Sequence, residues 1–277
     1  MKNIKLVASD LDGTLLNKNK EITPRLYDAL EKLDKLGVLF IPATGRAFDS
    51  LPQCVKELPF LKYVITSNGA SIYDAEEKRN IVENFLTPEA VDITLEAIKG
   101  LPIIVEFFHK GTAYIAKEVF ENLSAYHLTD SHIQYIRSTR TPIEHFFEKL
   151  ERNKTAMENI NLVFSDMDLR KQTWALLEEK GHACVTSSSP KNIEVTSKNA
   201  TKAKALEKLC ELLGLDKSDT LAMGDSDNDL PMLRFAGIGV AMANGEAHVK
   251  AEADIVADDC NDFGAAKILE QIIESKK

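Results

Sequence analysis

Leu6-Val7-Ala8-Ser9-Asp10-Leu11-Asp12-Gly13-Thr14-Leu15 is the stretch from which the rest of the chain can be read. The apolar run that opens it, Ile4 to Ala8, is too short and too β-branched for a helix. It reads as a strand buried on both faces. Parallel sheets carry their working groups at the carboxyl ends of strands, where two aspartates stand here. Side chains two apart along a strand point the same way, so Asp10 and Asp12 crowd one space unless the chain bends, and Gly13 permits a bend. Two carboxylates in a cleft repel each other, which implies a cation; donors that are all oxygen favour Mg²⁺. A solvated acidic turn after a strand has the same letters, so the remaining segments must decide.

Length and composition set the bounds. A chain of 277 residues suits one large domain or two smaller ones, and 44% hydrophobic with 28% charged residues is ordinary for a globular protein. A net charge of −9 without Lys/Arg runs argues against nucleic acid as a partner. Cys54, Cys184, Cys210 and Cys260 are widely separated and form no CxxC pair, as expected of reduced thiols in a cytoplasmic protein. No apolar run reaches membrane-spanning length, and the N-terminus lacks a signal-peptide pattern.

From Leu15 to Ile22 the chain is short and polar, which suits a small hairpin over the strand end. Thr23-Pro24 opens a helix with Leu26, Leu30, Leu33 and Leu36 on one face, and Gly37 ends it. Val38–Ile41 is a second buried strand running into Thr44-Gly45-Arg46, followed by a helix over 47–58. Tyr63–Thr66 is a third strand, ending in the turn Ser67-Asn68-Gly69. This β-α-β-α-β order opens a doubly wound (Rossmann-like) parallel sheet.

The alternation then breaks. Helices are expected at 87–100, 117–127, 142–150 and 168–180, and strands at 103–108, 112–116, 160–164, 183–187 and 192–196. This mixed α+β segment reads as an inserted second domain over 81–190, between core parts 1–80 and 191–277. The first pattern resumes with a helix from Lys198 to Leu213 and a short strand at 220–223. That strand delivers Gly224-Asp225-Ser226-Asp227-Asn228-Asp229. Three strand ends thus carry polar groups, and a doubly wound sheet would gather Asp10, Asp12, Thr44, Lys202, Asp225, Asn228 and Asp229 in one place. Carboxylates for a metal, one lysine, a hydroxyl and exposed amides are the parts needed to move a phosphoryl group.

These four segments, in this order, resemble the motifs of the haloacid dehalogenase (HAD) superfamily. The insert resembles the α/β cap of its Cof-like phosphatases (subclass IIB), and the resemblance spans essentially the whole chain. It implies a Mg²⁺-dependent phosphatase of a small phosphorylated metabolite working through an aspartyl-phosphate. Asp10 would be nucleophile and metal ligand. Asp12 would be the general acid/base, touching the metal through its backbone carbonyl. Thr44, with the amides of Leu11 and Gly45, and Asn228 would hold phosphate oxygens. Lys202 would neutralise the transferring group, Asp225 would complete the metal shell, and Asp229 would orient Lys202 or metal-bound water. The glycine usual after the motif lysine is Ala203 here, which leaves Lys198 and Lys204 as rivals to Lys202.

Other residues have structural readings beside functional ones. Arg46 either grips substrate phosphate or pairs with an acid, and an ion pair is the more common use of such an arginine. The histidines share no ligand spacing, although His109, at a hairpin tip, could face the site. Phe107, Phe108, Phe146 and Phe147 read as cap core, Trp174 as packing for its helix, and Asp227, Asp258, Asp259 and Asp262 as solvated acids. Sugar phosphates are the first expected substrates, then phosphorylated cofactors. A phosphomutase or phosphotransferase of the same fold, or a non-catalytic phosphometabolite sensor, are the alternatives. Monomer and homodimer are both open.

Overall fold

A computed structural model describes residues 1–277. In chain order the strands are β1 (Leu6–Ser9), β2 (Leu39–Pro42), β3 (Tyr63–Thr66), β4 (Ser71–Asp74), β5 (Arg79–Glu83), β6 (Ile104–His109), β7 (Thr112–Ala116), β8 (Thr141–Ile143), β9 (Met157–Val163), β10 (Cys184–Thr186), β11 (Asn192–Thr196), β12 (Thr220–Gly224), β13 (Ile238–Met242) and β14 (Ile255–Ala257). The first sheet is parallel, in the order β14-β13-β12-β1-β2, with Leu6 opposite both Thr220 and Leu39.

Strand β1 is buried on both faces, as its composition requires. Val7 packs with Leu26, Leu30 and Leu33 of the helix Pro24–Lys35 and with Ile268, Leu269 and Ile272 of the helix Gly264–Ser275. Leu6 and Ala8 point the other way, into Ala205, Leu206 and Leu209 of the helix Lys202–Leu213 and Met232 and Leu233 of Leu230–Phe235. Helices on both sides of a parallel sheet give the expected doubly wound α/β core.

Three local expectations in this half are corrected. Residues 15–22 form no strand ladder, only a turn with Lys20 at φ 63° and one bridge between Asp12 and Leu16. The helix expected over 47–58 is two short pieces, Phe48–Ser50 and Gln53–Lys56. Leu51 is extended between them because Pro52 disfavours the helical region for the residue before it. Strand β3 meets the parallel sheet only through its neighbour's end, where the Thr44 N–H donates to the Ile65 carbonyl at 2.9 Å. Its ladder is antiparallel to β4, which with β5 makes a three-stranded sheet.

The inserted segment is built on a six-stranded sheet, β10-β11-β9-β6-β7-β8. Its helices Pro88–Ala97 and Met167–Lys180 cover one face through Val91, Leu177, Phe107, Ile160 and Leu162. Strand β5 pairs with the core-side sheet and β11 with the inserted one. Pairing therefore places the crossings after residue 83 and after residue 196, and a cut at 190 would sever β11 from its sheet. A helix at Asp130–Thr139 went unread in the sequence. Where a helix was expected from Pro142, the chain forms edge strand β8 and then the helix Phe146–Arg152; an edge tolerates the missing N–H of proline. Phe147, expected in the core, is 60% exposed, while Phe107 and Phe146 are buried.

Candidate active site

The carboxyl ends of β1, β2 and β12 deliver the three motif loops to one place, roofed by the inserted sheet. Lys202 is fully buried at the first turn of its helix, whose N-cap Thr201 accepts from the Lys204 N–H. Its Nζ donates to Asp10 Oδ1 at 2.6 Å and to Asp229 Oδ1 at 2.7 Å. Lys204 instead donates to the Lys198 and Asn199 loop, so Lys202 is the lysine brought to the site; Ala203 sits within the helix without disturbing that placement.

One carboxylate oxygen from each of Asp10, Asp225 and Asp229 lies within 4.8 Å of the others. Asp225 accepts from the Thr14 hydroxyl at 2.8 Å, and Asp229 Oδ2 accepts the N–H groups of Asp225 and Ser226 at 2.9 and 3.1 Å. Two glycines allow this closeness: a Cβ on Gly13, itself at φ +89°, would lie 2.7 Å from Asp225 Oδ2, and one on Gly224 would lie 2.3 Å from Asp229 Cβ. Burial, opposed by Lys202 and reinforced by the neighbouring carboxylates, holds the Asp10 carboxyl well above the ordinary range. Burial and Asp229 push Asp225 up to about 6. Lys202 resists its own burial through Asp10 and Asp229, which hold it protonated above the usual lysine value. Three carboxylates, Asp10 and Asp229 buried and Asp225 half-buried, with one lysine are short of positive charge, and their donors are all oxygen. That set fits a hard divalent cation such as Mg²⁺.

Asp12 faces elsewhere. Arg46 clasps its carboxylate with two hydrogen bonds, Nε to Oδ2 at 2.6 Å and Nη2 to Oδ1 at 2.8 Å, and Lys20 Nζ lies 2.6 Å from Oδ1. Although burial opposes its charge, these cations hold Asp12 down to about 2. Of the four residues expected at the metal, Asp12 therefore keeps its side chain out of the cluster, leaving its backbone carbonyl for that role. Arg46 takes the ion-pair reading, with the acid being Asp12.

Thr44 is buried, and its Oγ1 accepts the Arg46 N–H at 3.1 Å. The N–H groups of Leu11 and Gly45 donate to no other group of the protein. Asn228 Nδ2 donates to Asn68 Oδ1 at 3.0 Å, and Asn68 Nδ2 to Glu194 Oε2 at 2.6 Å. His109 does not face the site; its ring nitrogen pairs with the Ala156 carbonyl. Asp227 is exposed beside His248.

Above these residues lies a polar cavity of about 350 Å³. Its upper wall holds what the sequence reading missed: Tyr135, Arg140, Asn161, Asn192 and Glu194, with Phe108 beside them rather than in the core. The signal was in the letters. Asn159-Ile160-Asn161-Leu162 and Asn192-Ile193-Glu194-Val195 alternate polar and apolar with period two, so each strand turns one polar face away from the cap helices.

A model of the haloacid dehalogenase-like hydrolases matches residues 7–269. The chain belongs to that family. The HAD-family likeness extends to the Bacillus subtilis protein named 5-amino-6-(5-phospho-D-ribitylamino)uracil phosphatase YcsE, 31% identical over 96% of this chain and 95% of that one. A solved haloacid dehalogenase-like hydrolase from B. subtilis superposes with a TM-score of 0.85 at 28% identity, covering 97% and 100% of the two chains. A HAD subclass IIB sugar phosphatase shares the fold, with a TM-score of 0.80 at 22% identity over 96% and 98%. The chain is accordingly an enzyme of the HAD phosphatase type, with the expected core and inserted cap. No helix is long and apolar enough to cross a membrane.

Proposed function

We propose that the enzyme hydrolyses a small phosphorylated metabolite in a Mg²⁺-dependent reaction through an aspartyl-phosphate on Asp10. The observation that carries this reading is the buried contact of Lys202 with Asp229 and with Asp10, which lines the floor of the cavity. Mg²⁺ held by Asp10, Asp225 and the Asp12 carbonyl would offset negative charge as the phosphate approaches. An Asp10 oxygen attacks phosphorus, the ester P–O bond breaks, and the leaving oxygen takes a proton from Asp12. Asp12 then takes a proton from water as that water attacks the phosphoryl group, which releases phosphate and regenerates Asp10. Lys202 balances charge on Asp10 and the moving group. Thr44, the N–H groups of Leu11 and Gly45, and Asn228 hold the phosphate oxygens. Because Arg46 and Lys20 keep Asp12 ionised in this arrangement, the arrival of substrate must loosen them before Asp12 carries a proton. Arg46 thus acts on the catalytic acid instead of on the phosphate.

Phosphate release from an aryl phosphate should vanish on chelation and return with Mg²⁺. Quenching Asp12→Asn during turnover should leave a phosphoryl group on the peptide that contains Asp10. Absence of phosphate release from every phosphomonoester tried would refute the reading.

A further inference from the structure

Strand β13 lies beside β12, and the turn that follows it, Ala243-Asn244-Gly245-Glu246, reaches past the end of β12 to the loop after β1. Asn244 Nδ2 donates to the Gly13 carbonyl at 2.7 Å, and its Oδ1 accepts the Cys260 N–H at 2.9 Å. A carboxamide has a donor end and an acceptor end, and here each faces the group it requires. The same turn also holds Asp225. The Glu246 N–H donates to the Asp225 carbonyl at 2.9 Å, and a Cβ on Gly245 would lie 2.8 Å from that oxygen. One turn therefore grips both loops whose carboxylates make up the cluster of Asp10, Asp225 and Asp229.

The carbonyls of the loop after β1 show why the grip on Gly13 matters. The Asp10 carbonyl accepts the Leu15 N–H at 3.3 Å and the Ser9 hydroxyl at 2.7 Å, and the Leu11 carbonyl accepts the Leu16 N–H at 2.9 Å. The Asp12 carbonyl accepts from no group of the protein, and the Gly13 carbonyl accepts from Asn244 alone. Gly13 stands at φ +89°, and glycine takes either sign of φ readily, so the residue does not fix the peptide groups on its two sides. Rotation there would reorient the Asp12 carbonyl relative to Asp225. Asn244 opposes that rotation from outside the loop, and the Thr14 hydroxyl on Asp225 opposes it from within. Burial does not demand the contact. Asn244 is exposed, and Gly13 and Cys260 are partly exposed, so water can satisfy the same groups. A hydrogen bond that water can replace adds little to stability, which leaves the placement of the loop as what Asn244 supplies.

Resting on the Mg²⁺-dependent reading of the same site, we propose that Asn244 is a positioning residue for the metal. Through the Gly13 carbonyl it holds the loop in the arrangement in which Asp10, the Asp12 carbonyl and Asp225 share one cation. It touches neither the cation nor the substrate.

The test reads metal binding without substrate. Mn²⁺ is titrated into the wild type, Asn244→Ala and Asn244→Asp, with free Mn²⁺ followed by electron paramagnetic resonance, and Mg²⁺ is then used to compete it off. Asn244→Ala should weaken both metals about 3- to 10-fold, while its melting temperature in chelator stays close to that of the wild type. Asn244→Asp keeps an acceptor for the Cys260 N–H but has no donor for Gly13. It should bind more weakly than the wild type although its added negative charge favours a cation. With p-nitrophenyl phosphate, the Mg²⁺ concentration for half-maximal rate should rise by the same factor in Asn244→Ala, and KM at saturating Mg²⁺ should not change. Unchanged metal affinity in Asn244→Ala, tighter binding in Asn244→Asp, or a lower melting temperature in chelator as the sole effect overturns the role of Asn244 and leaves the phosphatase reading intact. A wild type that binds the metal but releases no phosphate overturns the phosphatase reading alone. A wild type that binds neither metal overturns both.

Discussion

The arrangement at Asp10 sets three carboxylates against one buried ammonium, and that imbalance has a measurable consequence. Asp10→Asn keeps the side-chain shape and a hydrogen-bond acceptor for Lys202, but removes one of the mutually repelling charges. It should lower turnover by at least about a thousandfold, because the proposed reaction uses this carboxylate as its nucleophile. In chelator, with no cation to offset repulsion, the same variant should melt above the wild type, by roughly 2–4 °C per kcal/mol relieved. Its shift on adding Mg²⁺ should be smaller than the wild type's. A variant that melts lower in chelator would mean that Lys202 needs the full Asp10 charge more than the cluster suffers from it. The residues of this cluster were legible in the sequence because strand ends and spacing dictate them. The clasp of Arg46 and Lys20 on Asp12 was not, since it depends on how a loop with Lys20 at φ 63° folds back over the strand end.

At the scale of elements, the turn Ser67-Asn68-Gly69 does more than reverse the chain. All three residues have positive φ, at 49°, 56° and 93°. The Ser67 and Asn68 N–H groups donate to the Arg46 and Thr44 carbonyls, which ties the turn to the Thr44-Gly45-Arg46 loop. Asn68 then spans Asn228 on one side and the cap's Glu194 on the other. Asn68→Gly retains the left-handed backbone but leaves those two partners unsatisfied, and should cost about 1–3 kcal/mol in urea melts. Asn68→Ala should cost about 1 kcal/mol more, because alanine also strains at that φ. Equal midpoints for the two variants would show that the turn relaxes instead of holding its conformation. Sequence letters marked this segment as a turn, but its three-way junction depends on elements distant in the chain. The helix Asp130–Thr139 escaped for a related reason: it buries only Ile136, so it has little apolar stripe to read, and its cavity-facing Tyr135 counts as polar in any periodicity. The cap strands were found because their apolar halves pack on helices. Their polar halves could be assigned to the cavity only once the pairing of β6, β9 and β11 was known.

Across the whole molecule, cap and core meet through polar contacts. Ser67 donates to Glu158 Oε2 at 2.7 Å, Asn68 to Glu194, and Ser50 to the Thr139 carbonyl at 2.9 Å, with only Ala47, Phe108 and Ala113 forming a small apolar patch. An interface of this kind is suited to opening for substrate and product. Glu158 is its most informative group. It is fully buried, its Oε1 accepts the Gly111 N–H at 2.7 Å, and burial pushes its carboxyl above the ordinary value of 4.5, with nearby Glu83 adding to the shift and Ser67, Gly111 and His109 opposing it. The sign follows from proton counting. Below the ordinary value, folded and unfolded chains both hold the proton, and Glu158 contributes no pH dependence. Between the ordinary and the raised value only the folded chain holds it, so stability falls as pH rises; above the raised value the loss is complete and constant. Glu158→Gln can keep both contacts, its carbonyl on Gly111 and its amide on the Ser67 oxygen, without any charge to bury. Its melting temperature should therefore track the wild type's at the acid end of a series from about pH 4 to 8 and then rise above it to a plateau. A difference that stays flat across the series would show that Glu158 ionises in the folded protein as freely as in the unfolded chain. The cap would then carry a solvated carboxylate at its joint with the core, and the tight closure drawn from the Ser67 and Gly111 contacts would not hold in solution.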